Sequence, residues 1–159
     1  MNKPVNVAAA ERPTPLRRAE LGDALWSSAV KIRFGQCDPA GIVYTPQFFD
    51  IFNVVIEDWY AQALGLDYYE IIGERHVGLG YVSAHSDFFA PARMGDTLDI
   101  AVAVERIGNS SFTLVLHAFR GEQETLRGRF TVVTTDLNLH KSIPVPDDLR
   151  SALLDYAKS

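Results

Sequence analysis

A carboxylate on a tight turn directly before a helix is the part of this sequence best suited to chemistry. Asp38 is followed by Pro-Ala-Gly at residues 39–41. Proline fixes its own φ and glycine can adopt a positive φ, so the backbone is predicted to fold back sharply there. Thr45 and Pro46 are typical of an N-cap and a first helical residue, and a helix is predicted from Gln47 onward.

The start of that helix favours negative charge. The first amide N–H groups of a helix have no partner within it, and the helix dipole adds to their effect. Such a place suits a carbonyl oxygen that becomes an oxyanion in the transition state. Asp38, a few residues upstream, can attack that carbonyl or deprotonate a water molecule that does. The structural alternative is that Asp38 only caps the local backbone in an Asx turn.

The elements that must position this corner follow from periodicity. Residues 28–34 alternate and predict a half-buried strand leading to Asp38. The predicted helix, Gln47 to about Leu64, is apolar around most of its circumference, and its polar residues fall within roughly 120°. After it the pattern changes to period two, with strands predicted over residues 77–89, 98–104, 112–118 and 126–139, and helices over 67–74 and 147–157.

A strand, a buried helix and four further antiparallel strands predict an α+β fold in which a five-stranded sheet curls around one long helix. The 159 residues suffice for one domain, and 47% hydrophobic with 22% charged residues is ordinary for a folded chain. Residues 1–25 contain three prolines and show no period, so we expect a flexible N-terminal arm, followed by a single domain over residues 26–159.

Composition also excludes classes of function. The net charge of −5 gives no basic surface for nucleic acid or an anionic membrane. No apolar run approaches the roughly 18 residues of a membrane span, and the first 25 residues lack the apolar segment of a signal peptide, so a cytoplasmic location is expected. Cys37 is the only cysteine and the four histidines have no metal-ligand spacing, so we expect no disulfide, metal or cofactor.

The segment Cys37-Asp38-Pro39-Ala40-Gly41-Ile42-Val43-Tyr44 resembles the signature of the hot-dog-fold acyl-CoA thioesterases, in particular the 4-hydroxybenzoyl-CoA thioesterase-like branch. The order of the elements, the later Tyr81-Val82-Ser83 and Phe88 also match, so the resemblance covers about residues 28–140. It implies hydrolysis of a CoA thioester on a hot-dog fold. It also implies a homo-oligomer, a dimer with a continuous sheet or a homotetramer, with active sites at the subunit interface.

The resemblance assigns roles to individual residues. Asp38 becomes the nucleophile or general base, and the backbone amide of Thr45 becomes the oxyanion donor. Tyr44 and the Gly78-Leu79-Gly80 segment, the latter from the neighbouring subunit, become walls of the acyl pocket. Two glycines leave room for a bulky acyl group such as an aromatic ring. The thiol of CoA is a good leaving group, with a pKa near the ~8.5 of a cysteine, so one carboxylate and an oxyanion site can suffice.

The sequence leaves two assignments undecided: the residues that bind the CoA phosphates and the alternatives to Asp38 as the working carboxylate. Relatives hold the CoA phosphates with basic residues and a serine after the third strand, which corresponds here to Arg106 and Ser111. Arg127 and Arg129 are alternatives, because guanidinium groups bind phosphate with two hydrogen bonds. Other hot-dog branches place the working carboxylate on the long helix, so Asp50 and Glu57 are reserve candidates for Asp38.

Two other functions are compatible with the same fold. A dehydratase needs a catalytic histidine near an acid, and no histidine lies near Asp38 or on the long helix. A non-catalytic acyl-CoA-binding module has no need of a carboxylate beside an oxyanion site. The sequence therefore favours the thioesterase.

Overall fold

The computed structural model describes residues 11–159, in which six strands and three α-helices occur. No helix within residues 11–159 has both the length and the hydrophobicity of a membrane span. The elements are β1 (Ser27–Lys31), α1 (Gln47–Gln62), α2 (Tyr68–Gly73), β2 (Val77–Phe88), β3 (Thr97–Ile107), β4 (Ser111–Arg120), β5 (Gln123–Asp136), β6 (Lys141–Ser142) and α3 (Asp147–Lys158).

The strands form one antiparallel sheet in the order β1-β3-β4-β5-β2, and β6 pairs only with the end of β5. The five predicted strands and the long helix are confirmed. The pattern did not predict β6, since two residues carry no period. β1 ends at Lys31, three residues before the predicted end, because Phe34–Gln36 forms a 3-10 turn that leads to a bridge between Cys37 and Val43.

Helix α1 lies on the inner face of the sheet and supplies much of the core. Phe52, Val55 and Trp59 are fully buried, as predicted for a helix covered on most of its sides. Phe52 meets Phe130 of β5 edge to face, with ring centroids 5.6 Å apart. Burial of each such side chain contributes about 1.5–3 kcal/mol. Gly128 allows this contact, since a Cβ there would lie 2.8 Å from a carbon of the Phe52 ring.

Strand β2 is an edge of the sheet. It is hydrogen-bonded to β5 on one side, and the structure shows no strand on its other side within residues 11–159. Residues 80–85 of β2 are exposed, and the side chain of Val82, which stands at a bulge in the register, is 65% exposed. An exposed apolar edge strand is a template for pairing with another chain.

The outer face of the sheet carries a segment that precedes β1. Arg17 bridges Gln123 of β5, and the amide of Leu16 donates to Oε2 of Glu124 at 2.7 Å. Arg18 forms an ion pair of 2.7 Å with Asp99 of β3. These residues belong to the predicted N-terminal arm, of which residues 1–10 lie outside the described residues. Flexibility of the arm stays a prediction.

Candidate active site

The turn after Asp38 has the predicted geometry. Gly41 has φ of 75° and donates to the carbonyl oxygen of Asp38 at 2.9 Å. Oδ1 of Asp38 accepts a hydrogen bond of 2.8 Å from the amide of Ala40, so the Asx turn is present. Oδ2 of Asp38 has no hydrogen-bond partner among residues 11–159. The backbone therefore orients one carboxylate oxygen while the other stays available, which is compatible with a catalytic role.

The start of α1 leaves one amide open. Gln47 donates to the carbonyl of Tyr44 at 2.8 Å, and Phe48 donates to that of Thr45 at 3.2 Å. Phe49 donates in the same way to Pro46, which has no N–H of its own. The amide of Thr45 donates to no acceptor within residues 11–159. It is therefore the donor at this helix start that remains available to an oxyanion.

The predicted N-cap is wrong in its detail. Pro46, not Thr45, occupies the N-cap position, and no side chain caps the helix. Tight hydrogen bonds between residues three apart satisfy the first amides instead, as described above. The Thr45 side chain thus has no capping role, and the group of Thr45 that is available to a ligand is its backbone amide.

Thr45 lines a cavity of about 330 Å³ at the start of α1. Phe48 of α1 also lines it, and the ring of Phe88 packs against Phe48 with centroids 5.6 Å apart. The remaining lining is Ile42, Val43, Phe89, Ala90, Pro91 and Ala92. A mostly apolar lining that includes Thr45, whose amide has no acceptor among the described residues, suits a compact acyl group.

Asp38 lines a separate cavity of about 440 Å³, together with Phe34, Cys37 and Met94 among others. The two cavities are neighbours along the chain, since Gly41 lines one and Ile42 the other. Within a single chain the structure does not bring Asp38 and Thr45 into one cavity. Phe34 at this site is 82% exposed, an unusual state for a large apolar side chain.

None of the predicted acyl-pocket residues lines either of these two cavities in the single chain. Tyr44 is 56% exposed. The Gly78-Leu79-Gly80 segment begins the edge strand β2, where Leu79 is buried in the core and Gly80 is exposed. A side chain at Gly78 would collide with Thr135 of β5, whereas a Cβ at Gly80 would meet nothing within 4 Å.

The predicted phosphate residues cluster at the hairpin between β3 and β4. Arg106 is exposed, and the carbonyl of Ser111 accepts a 2.7 Å hydrogen bond from Gly108. Helix α3 adds Arg150, which donates to the carbonyls of Gly108 and Asn109, both at 2.8 Å. Sequence reasoning missed Arg150, because nothing in the pattern of α3 indicates that it packs against this hairpin.

The alternative phosphate residues already have acidic partners. Arg127 binds both carboxylate oxygens of Glu124, at 2.9 and 2.6 Å, and Arg129 pairs with Glu105. Both arginines are therefore engaged by carboxylates within the described residues. The hairpin residues are therefore the better candidates.

Two polar side chains of α1, Asn53 and Glu57, accept hydrogen bonds from tyrosines within the described residues. Glu57 accepts a 2.6 Å hydrogen bond from the hydroxyl of Tyr69, which raises the pKa of that tyrosine. Asn53 accepts one of 2.8 Å from Tyr81 of β2. Asp50, the other reserve carboxylate, is exposed. Glu57, like Asp38, thus has one carboxylate oxygen engaged within the described residues, and Asp50 and Glu57 stay reserve candidates.

Comparison with known proteins identifies the family of this chain. The family model of the Thioesterase-like superfamily matches residues 32–153. A 1,4-dihydroxy-2-naphthoyl-CoA hydrolase of Synechocystis sp. is 28% identical over 127 residues, which cover 79% of this chain and 91% of that protein. A protein of the same name from Prochlorococcus marinus is 25% identical over 126 residues, covering 75% of this chain and 82% of its own.

Solved structures agree on the fold. A 1,4-dihydroxy-2-naphthoyl-CoA thioesterase from Synechocystis superposes with a TM-score of 0.75 at 26% identity, covering 81% of this chain and 95% of its own. A gentisyl-coenzyme A thioesterase superposes with a TM-score of 0.74 at 23% identity, covering 80% of this chain and 99% of its own. The predicted hot-dog fold is confirmed.

Proposed function

The chain belongs to the Thioesterase-like superfamily, and on that premise we propose that it is an acyl-CoA thioesterase, which releases a free acid and CoA from a CoA thioester. The observation that carries the proposal is the amide of Thr45, which has no acceptor among the described residues and belongs to a residue that lines an apolar cavity. Asp38, seven residues earlier, has an oxygen without a partner among the described residues and lines the neighbouring cavity. A binding module has no use for that pair.

In the proposed reaction the thioester carbonyl oxygen accepts a hydrogen bond from the Thr45 amide. The carboxylate of Asp38 then attacks the carbonyl carbon or removes a proton from a water molecule that attacks it. The negative charge that develops on the oxygen is stabilised by the amide and by the positive end of helix α1. The CoA thiolate leaves without strong acid assistance, since its conjugate thiol has a pKa near that of cysteine, ~8.5.

A second copy of the chain completes the proposed site. β2 presents an open edge with exposed residues, and pairing of two such edges would join the two sheets into one. The Gly78-Leu79-Gly80 segment would then reach the partner's acyl pocket, which would explain why it lines neither cavity within one chain. A further pairing of dimers would give a tetramer. Light scattering measures the mass, and Val82→Lys, which places a charge in the proposed interface, should reduce it to that of the monomer.

The proposed acyl group is aromatic, such as hydroxybenzoyl, or another compact group. Two features support this choice: the apolar lining of the Thr45 cavity and the relatives whose names specify dihydroxynaphthoyl and gentisyl thioesters. Both of those acyl groups are hydroxylated aromatic rings. Arg106 and Ser111, joined by Arg150, are the proposed contacts of the CoA phosphates.

Thiol release from a panel of CoA esters tests the function. The panel contains benzoyl-, hydroxybenzoyl-, dihydroxynaphthoyl-, phenylacetyl- and short aliphatic CoA, each at the same concentration. Aromatic esters should have the highest kcat/KM. If no ester is hydrolysed although acyl-CoA binds, the chain is a binding module and the proposal fails.

A further inference from the structure

One wall of the Thr45 cavity is the segment that joins β2 to β3. Phe88, the last residue of β2, contributes its ring, and Phe89 and Ala90 follow it. The carbonyl of Thr125 on β5 accepts hydrogen bonds from the amides of Phe89 and Ala90, at 2.8 and 3.1 Å. The sheet thus fixes this wall from one side.

The N-terminal segment contacts the same wall. The guanidinium of Arg12 donates to the carbonyl oxygen of Phe88 and lies over the ring of Phe89, 5.9 Å from its centroid. Arg127 lies over the same ring at 5.5 Å. A guanidinium within about 6 Å of an aromatic centroid is attracted to it, so two cations hold Phe89.

Glu124 anchors this arrangement. Its side chain is 1% exposed and accepts hydrogen bonds from the Leu16 amide, from Nδ1 of His117 at 2.8 Å and from Arg127. Arg127 in turn donates to the carbonyl of Thr14 at 3.1 Å. Burial alone would raise the pKa of Glu124, but these donors hold it below its ordinary value. The carboxylate therefore stays charged and holds both the segment and Arg127.

We propose that residues 12–16 are a positioning element of the cavity, in which Arg12 fixes the wall formed by Phe88 and Phe89 against the acyl group. The inference rests on the proposed function. Arg12 contacts the wall and neither Asp38 nor Thr45. Its loss therefore loosens substrate binding and leaves the chemical step intact.

Arg12→Ala tests this, with Arg17→Ala as the matched control. Arg17 lies on the same segment, but its guanidinium pairs with exposed Glu20 at 3.6 Å. We expect Arg12→Ala to raise KM about 3- to 10-fold and to change kcat less than about twofold. Arg12→Lys keeps a cation over the ring and should recover part of the loss. Arg17→Ala should match wild type.

A second readout does not depend on activity. Hydrogen exchange at the amides of Phe89 and Ala90 should become at least about threefold faster in Arg12→Ala and stay unchanged in Arg17→Ala. Unchanged exchange in Arg12→Ala, or a fall in kcat at constant KM, overturns the inference. If no CoA ester is hydrolysed, the proposed function fails separately, and the exchange rates still decide whether the segment holds the wall.

Discussion

The proposed oxyanion site makes a sharp prediction, because it uses the backbone of Thr45 and not its side chain. Thr45→Ala removes the hydroxyl and keeps the N–H, whereas Thr45→Pro removes the N–H. The amides of Gln47, Phe48 and Phe49 are already hydrogen-bonded, and Pro46 has none to give. Within residues 11–159 no neighbouring amide of this helix start can take the place of the lost donor.

The expected effect follows from that geometry. Loss of one preorganised donor to an oxyanion costs about 2.7–4 kcal/mol of transition-state stabilisation, or about 10²–10³ in kcat. The Thr45 amide has no intrachain acceptor, so its removal breaks no hydrogen bond within the described residues. Thr45→Pro should therefore lose activity and keep most of its stability. Thr45→Ala should keep kcat within about threefold of wild type.

The assay is thiol release under saturating substrate, with the melting temperature of each variant measured alongside. Binding of the CoA product by calorimetry serves as a check on the folded site. If Thr45→Pro keeps wild-type kcat, or if Thr45→Ala loses as much as Thr45→Pro, the backbone of Thr45 is not the oxyanion donor. If Thr45→Pro melts far below Thr45→Ala, its loss of activity is instead explained by destabilisation of the fold.

Two further predictions concern the inner and outer faces of the sheet. Gly128→Ala places a Cβ 2.8 Å from the buried Phe52 ring and should lower the free energy of unfolding, measured by chemical denaturation, by about 1–3 kcal/mol. Gly80→Ala, with open space around the new Cβ, should change the free energy of unfolding by less than about 1 kcal/mol. Equal effects of the two substitutions would contradict the packing described. Burial holds the pKa of His117 below its ordinary value, although the hydrogen bond to Glu124 opposes this. Below pH ~6.5 the unfolded chain therefore binds a proton that the folded chain does not, and lowering the pH should reduce stability by at most about 1.4 kcal/mol per unit. His117→Asn should flatten that slope between pH 6.5 and 5, and a slope unchanged in the variant would show that other groups cause it.

Much of the fold could be predicted from periodicity. Because α1 is apolar around most of its circumference, it has to be buried on most sides, and the period-two segments predict the sheet that buries it. The strand ends were less predictable, since β1 stops where the 3-10 turn begins. The two residues of β6 have no period and owe their state to pairing with Thr135 and Asp136 of β5.

The site was predictable only where its parts are local in sequence. The turn at Asp38 depends on neighbouring proline and glycine, and the structure has it. The prediction of Thr45 as the N-cap was wrong, because backbone hydrogen bonds between residues three apart replace a side-chain cap at the start of α1. Residue types alone do not reveal this replacement. The contacts of Arg150 and Arg12 were not predicted, because each arginine is more than 40 residues away in sequence from the residues that it contacts.

Asp38→Asn in a thiol-release assay shows whether Asp38 is the catalytic carboxylate. Asparagine keeps the shape of the side chain, and its carbonyl oxygen can still accept from the Ala40 amide, so the turn should survive. If Asp38 is the nucleophile or general base, kcat should fall by several orders of magnitude while the acyl-CoA still binds with near wild-type affinity. A variant with wild-type kcat would show that Asp38 serves only as an Asx-turn residue, and would contradict the account.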